Sequence, residues 1–161
     1  MSADQMPEWL QRRHSAVASF EAERQTQKIA YMTVKAEGEA FWSQVCASLK
    51  VVADNPPAGL WARFHHAPDA MNEQKDHCRI EVGCSSFAPK HSYTDLWYIP
   101  GEAWIRYRPI SGVESSLRLC VVDDKVCAVD RSESMSPQMV ARLIAEPLIE
   151  YAMAAALAGV S

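Results

Sequence analysis

Apolar residues recur at intervals of three and four near the end of the chain's first third: Phe41, Trp42, Val45, Cys46, Leu49, Val52 and Ala53. That spacing draws one broad stripe along a helix, the pattern of a face pressed against a core. Upstream, residues 8 to 37 are rich in Glu, Gln, Lys, Arg and Ala, and no further proline or turn cluster intervenes between Pro7 and Ala53. The whole span therefore reads as helix. As one rod it would extend about 70 Å at 1.5 Å per residue, far beyond a domain whose radius of gyration is roughly 15 Å. Either the helix bends or breaks near Gly38, or residues 7–37 project from the body and need a partner. Val17, Phe20, Tyr31 and Val34, with Arg24 and Gln27 between them, form a thin apolar seam that favours a homodimer.

Pro56 and Pro57 stop the helix, because neither supplies a helical donor and each disfavours helical geometry in the residue before it. The apolar period then changes to two. Short alternating segments at 60–66, 77–84, 94–99, 103–108, 116–122 and 125–130, punctuated by Pro100-Gly101 and Asp123-Asp124, predict six strands in an antiparallel meander. A second helix opens at Ser136, a good N-cap, with Pro137 in its first turn and Met139, Val140, Leu143, Ile144, Leu148 and Tyr151 on its buried side. Pro147 is expected to kink or end it. Residues 1–161 thus read as a single α+β domain: long N-terminal helix, six-stranded antiparallel meander, C-terminal helix.

Composition narrows the function classes. A formal charge of −4 gives no broad attraction to nucleic acid or to an anionic membrane. No apolar run reaches the roughly 18 residues of a membrane span, and "MSADQMPEWLQRRHS" lacks the apolar centre of a signal peptide, so a soluble, cytoplasmic protein is expected. Five cysteines without C-x-x-C spacing fit reduced thiols.

The stretch from Leu60 to Cys84 is dense in His and Cys, which invites a metal or nucleophile reading. Strand alternation argues against it. Cys78 and Cys84 share a face with Ile80 and Val82, whereas His65 and His77 travel with Arg63, Arg79 and Glu81. A tetrahedral site closes on one point and cannot draw ligands from opposite faces of one sheet. No metal and no cofactor is therefore expected. If Asp123-Asp124 is a two-residue loop, Cys120 faces Cys127 with Cα atoms about 5.5 Å apart, a spacing that permits a disulfide; a cytosolic setting favours free thiols.

The same parity sorts the whole sheet. Leu60, Phe64, Ile80, Val82, Leu96, Tyr98, Ile105, Tyr107, Leu117, Leu119, Val121 and Val126 make the core face. The reverse face carries Trp61, Arg63, His65, His77, Arg79, Glu81, Asp95, Trp97, Trp104, Arg106, Arg108 and Arg118, then turns apolar toward Cys120 and Val129. Around Pro100-Gly101 the pairing is expected to set Trp97 opposite Trp104 and Asp95 opposite Arg106. Trp and Arg dominate binding hot spots, so Trp61, Arg63, Arg79, Asp95, Trp97, Trp104 and Arg106 are the candidate site. The competing expectation is that the C-terminal helix or a second protomer lies across this face and buries the tryptophans.

There is no nucleotide-binding loop, H-E-x-x-H or G-x-S-x-G. The first expectation is a non-catalytic interaction domain, adaptor- or chaperone-like, holding a protein partner through the Trp/Arg face or the N-terminal helix. Single-stranded nucleic acid is disfavoured by the acidic balance. The alternative is a small-molecule binder or enzyme with a pocket between sheet and helix, using Asp95, Glu81, His65 or His77 as its polar equipment. A deep pocket walled by Trp61, Trp97 and Trp104 would favour the alternative; a flat or helix-covered face favours the first.

Overall fold

In the computed structural model of the chain, which describes residues 6–68, 75–84 and 91–159, helix α1 runs unbroken from Glu8 to Asp54. Met1 to Gln5, at the start of the stretch tested above for a signal peptide, lie outside the described residues. Gly38 is no hinge. It is buried, and a Cβ at its position would stand 2.7 Å from Tyr98 Oη, so the glycine marks where helix and sheet approach most closely. Helix α1 stops at Asn55, whose Nδ2 donates to the Val51 carbonyl before the two prolines turn the chain away.

Seven strands follow: β1 Leu60–Pro68, β2 Asp76–Cys84, β3 His91–Tyr98, β4 Trp104–Pro109, β5 Ser115–Val122, β6 Lys125–Asp130 and β7 Glu133–Met135. They pair in chain order as one antiparallel meander. The seventh corrects the expected count of six. It has three residues, of which only Met135 is buried, too few to display an alternation. Helix α2, Pro137–Ala158, is capped by Ser136, whose Oγ accepts from the Met139 N–H at 3.2 Å, and it continues through Pro147 instead of ending there.

Both helices lie on the same side of the sheet. Helix α1 crosses β1, β5 and β6, helix α2 crosses β2 and β3, and the two pack on each other. The predicted stripe on α1 is the buried one, lengthened by Val34 and Gly38. On α2 the buried flank differs from expectation: Ala141, Ala145 and Ala152 join Val140, Ile144 and Leu148, while Met139 and Tyr151 are exposed. A helix wedged between a sheet and a neighbouring helix must bury two flanks, and alanine lets the second approach closely. Trp42 fixes the end of the core, stacking on Tyr98 at 5.8 Å and donating its indole N–H to Asp76 Oδ2 at 2.6 Å.

The register confirms the faces and moves one set of partners. Cys120 pairs with Cys127 across Asp123-Asp124, whose φ values of 50° and 61° are those of a tight hairpin turn, and both thiols are free. At the preceding hairpin, Trp97 pairs with Arg106 and Asp95 with Arg108, two residues beyond the expected partners. The cause is the turn. Glu102 N–H donates to the Ile99 carbonyl around Pro100-Gly101, with Gly101 at φ 86°, and β4 starts only at Trp104. A slip of two preserves every side chain's face.

Replacing Gly38 tests the helix–sheet contact. Gly38→Ala is expected to lower the melting temperature, although alanine is the better helix former by about 1 kcal/mol. Tyr98→Phe, which removes the contacted oxygen, is expected to recover most of the loss in the double variant. A Gly38→Ala protein more stable than its parent would contradict the packing.

Candidate functional site

The reverse face of the sheet is uncovered among the described residues, since α1 and α2 both occupy the core side. Its centre is Asp95 on β3. Strand pairing sets Arg79 of β2 on one side of it and Arg108 of β4 on the other. The Asp95 side chain is only 5% exposed, on a face otherwise open to solvent. Arg79 Nε donates to Oδ1 at 2.7 Å and Arg79 Nη2 to Oδ2 at 3.0 Å, a forked pair, and His77 Nε2–H donates to Oδ1 at 2.9 Å. Because a carboxylate only accepts, this contact fixes the proton on His77 Nε2. Burial alone would raise the Asp95 pKa; the hydrogen bonds from Arg79 and His77, with their charge, more than offset it and hold the carboxyl below its ordinary value. The Asp95 hydrogen bond pushes the Arg79 guanidinium up in return.

Aromatic rings extend this centre sideways. The His77 imidazole stacks on Trp97 at 5.4 Å, and the Arg108 guanidinium lies 5.4 Å from the Trp97 ring on the other side. Arg79 lies 3.9 Å over Tyr93. Toward the β1 edge, Arg63 sits 5.1 Å over Trp61, and the Trp61 indole lies against Gly83 of the neighbouring strand, where a Cβ would collide with the ring. Glycine at that position is what lets the indole lie down on the sheet. Each guanidinium–ring contact contributes about 0.5–1 kcal/mol at an exposed site and costs little further ordering when a ligand arrives.

Arg79, Asp95 and Trp97 of the sequence-predicted set therefore form one network, and Trp61 with Arg63 forms a second patch on the same face. Trp104 and Arg106 stand further along, where Arg106 reaches Glu102 only at 3.8 Å and Trp104 opposes Arg118. The expectation that the C-terminal helix covers these tryptophans is corrected: α2 lies on the opposite side, because its apolar flanks match the aliphatic face of β2 and β3. Tyr93 and His77 complete the network. Tyr93 escaped the sequence reading because β3 was begun at residue 94; carrying the alternation of Asp95 and Trp97 two residues back would have found it.

The exposed charge of the face is positive. Arg63, Arg106, Arg108 and Arg118 are exposed, while the carboxylates of Asp95 and Glu81 are recessed at 5% and 18%. The cavity that touches Trp104 and Arg106 is a notch of 290 Å³ whose other lining residues are Glu114, Ser115 and Ser116, so it takes in neither Trp61 nor Trp97. Comparison with known proteins finds no matching family, no matching curated protein and no matching solved structure.

Asp95→Asn is expected to cost about 2 kcal/mol at pH 7, the loss of charge-assisted hydrogen bonds at a buried carboxylate. A carboxyl with a depressed folded pKa stabilises fully above its unfolded value of about 3.9 and loses that contribution as pH falls through the folded value. Chemical denaturation of both proteins from pH 7 to pH 2.5 should show the gap between them closing below about pH 4. A gap that is constant with pH would contradict the ionised network.

Proposed function

We propose that the protein is a non-catalytic adaptor- or chaperone-like domain of a reducing, cytoplasmic setting that holds an acidic segment of a protein partner against the Trp/Arg face. The observation that carries this reading is the set of guanidinium groups ordered by rings around buried Asp95, on a face left open by both helices. Preorganised arginines beside indoles offer forked contacts to carboxylates and apolar area at once. The positive face on a chain of net charge −4 adds charge complementarity for an acidic partner. A notch that takes in neither Trp61 nor Trp97 suits holding a chain better than enclosing a substrate, and five cysteines without C-x-x-C spacing agree with the compartment.

A fluorescent glutamate-rich peptide provides the test. It is expected to bind with an affinity that falls with added salt, and Arg106→Glu or Trp97→Ala should weaken it by about tenfold, the scale of one hot-spot residue. Arg142→Glu, on the exposed side of α2, should leave binding unchanged. Equal affinity across all three variants would remove the basis for the proposal.

The N-terminal arm favours a compatible second reading, association with another copy of the chain. Trp9, Phe20, Tyr31 and Trp42 recur every eleven residues, three turns of helix, and so lie along one line. Trp42 is buried at the body; Trp9, Phe20 and Tyr31 are 64%, 66% and 54% exposed. Helices in proteins draw most of their stability from packing an apolar face, and two such arms laid antiparallel would cover each other's rings. Sedimentation should give a dimer that Phe20→Glu converts to monomer; a parent chain monomeric at high micromolar concentration would exclude this pairing.

A further inference from the structure

On the opposite side of the sheet, α2 does not close fully over β3 and β4. A cavity of 530 Å³ remains there, within the roughly 300–1,000 Å³ that small-molecule sites occupy. Its apolar wall is Leu143, Ile144 and Leu148 of α2, and Tyr107 of β4 faces them. Among the described residues its lining includes no Asp, Glu, Lys or Arg, and the single imidazole, His91, is exposed.

The strand below it departs from its own pattern. Core-face positions along β2 and β3 hold Cys78, Ile80, Val82, Leu96 and Tyr98, yet Ser92 and Thr94 occupy two of them, opposite Val82 and Ile80. Both are buried, at 7% and 3% exposure, and both line the cavity. Among the described residues Ser92 Oγ has no hydrogen-bond partner. Buried hydroxyls are nearly always paired, so an orphan beside a ligand-sized apolar cavity indicates a missing partner. The hydroxyl can turn toward an incoming group by changing its χ1 rotamer.

We propose that this cavity binds a neutral lipophilic molecule bearing one hydroxyl or carbonyl group, with the polar group paired to Ser92 Oγ and the apolar part along α2. Charged lipophiles are selected against, because among the described residues no buried counter-charge lines the cavity and burying an unpaired charge is far costlier than burying a hydroxyl. The site shares no residue with the Trp/Arg face and stands independently of the function proposed for that face.

The full chain is titrated with N-phenyl-1-naphthylamine, a neutral fluorescent probe, which is then displaced by 1-decanol, decane or decanoate, with thermal unfolding followed in parallel. The probe should bind saturably, 1-decanol should displace it at lower concentration than decanoate, and 1-decanol should raise the melting temperature through linkage. Ile110→Arg, a half-exposed lining residue whose replacement leaves the core intact, should weaken 1-decanol by about tenfold through the bulk and charge it places at the cavity mouth. Ser92→Ala should weaken 1-decanol roughly three- to tenfold while leaving decane unchanged, and its unliganded form should melt no lower than the parent, since an orphan group is removed. Absence of saturable binding, or affinity indifferent to Ile110→Arg, overturns the site. Equal 1-decanol affinity in Ser92→Ala overturns the pairing, and decanoate binding as tightly as 1-decanol overturns the choice of a neutral ligand.

Discussion

Everything in this molecule follows from the two-residue period of a strand acting on a single sheet. Seven antiparallel strands send alternate side chains to two faces, and two helices suffice to cover only one of them. The aliphatic face takes both, since every Å² of it removed from water contributes about 25 cal/mol. The other face is left to solve its own solvation problem. It does so with rings laid flat on the sheet, guanidinium groups laid on the rings, and one buried carboxylate that ties Arg79 and His77 together. Such a face is stable without a cover and retains the groups that would recognise one.

Helix α1 couples this sheet to the space around it. Its second half is fastened by Trp42, which reaches both Tyr98 and Asp76, and by the close approach at Gly38. Among the described residues its first half makes no packing contact of comparable kind, and it exposes Trp9, Phe20 and Tyr31 along the same line. One helix therefore serves as core element and as projecting arm. The eleven-residue recurrence of its aromatics keeps that line straight across the boundary, so a partner at the arm would meet a surface continuous with the body's own core stripe.

Much of this was legible in the residues, and the reasons for the exceptions are physical. Which side chains share a face was readable because parity survives errors in register: the pairing at Pro100-Gly101 moved by two residues, yet Asp95, Trp97 and Arg106 kept their face. Cys120 and Cys127 were placed opposite each other because a two-residue turn leaves no freedom in the count. Strand β7 was hidden by its length, and Tyr93 by a strand boundary set three residues late. The side of the sheet taken by α2 was not readable from α2 itself, since periodicity states that a helix has an apolar flank without stating which surface it meets. Ser92 was passed over because it lay outside the strand expected at 94–99, and Thr94 stood at that strand's first position, while the structure places both on the core face of β3.

The openness of the Trp/Arg face is the claim on which the account rests, and acrylamide quenching of variants that retain one tryptophan each measures it directly. Trp42, 2% exposed, should be shielded, whereas Trp104, 41% exposed, and the half-buried Trp97 should be quenched readily in the free protein. Trp97 and Trp104 as well protected as Trp42 would mean that the face is covered in solution and would contradict the account.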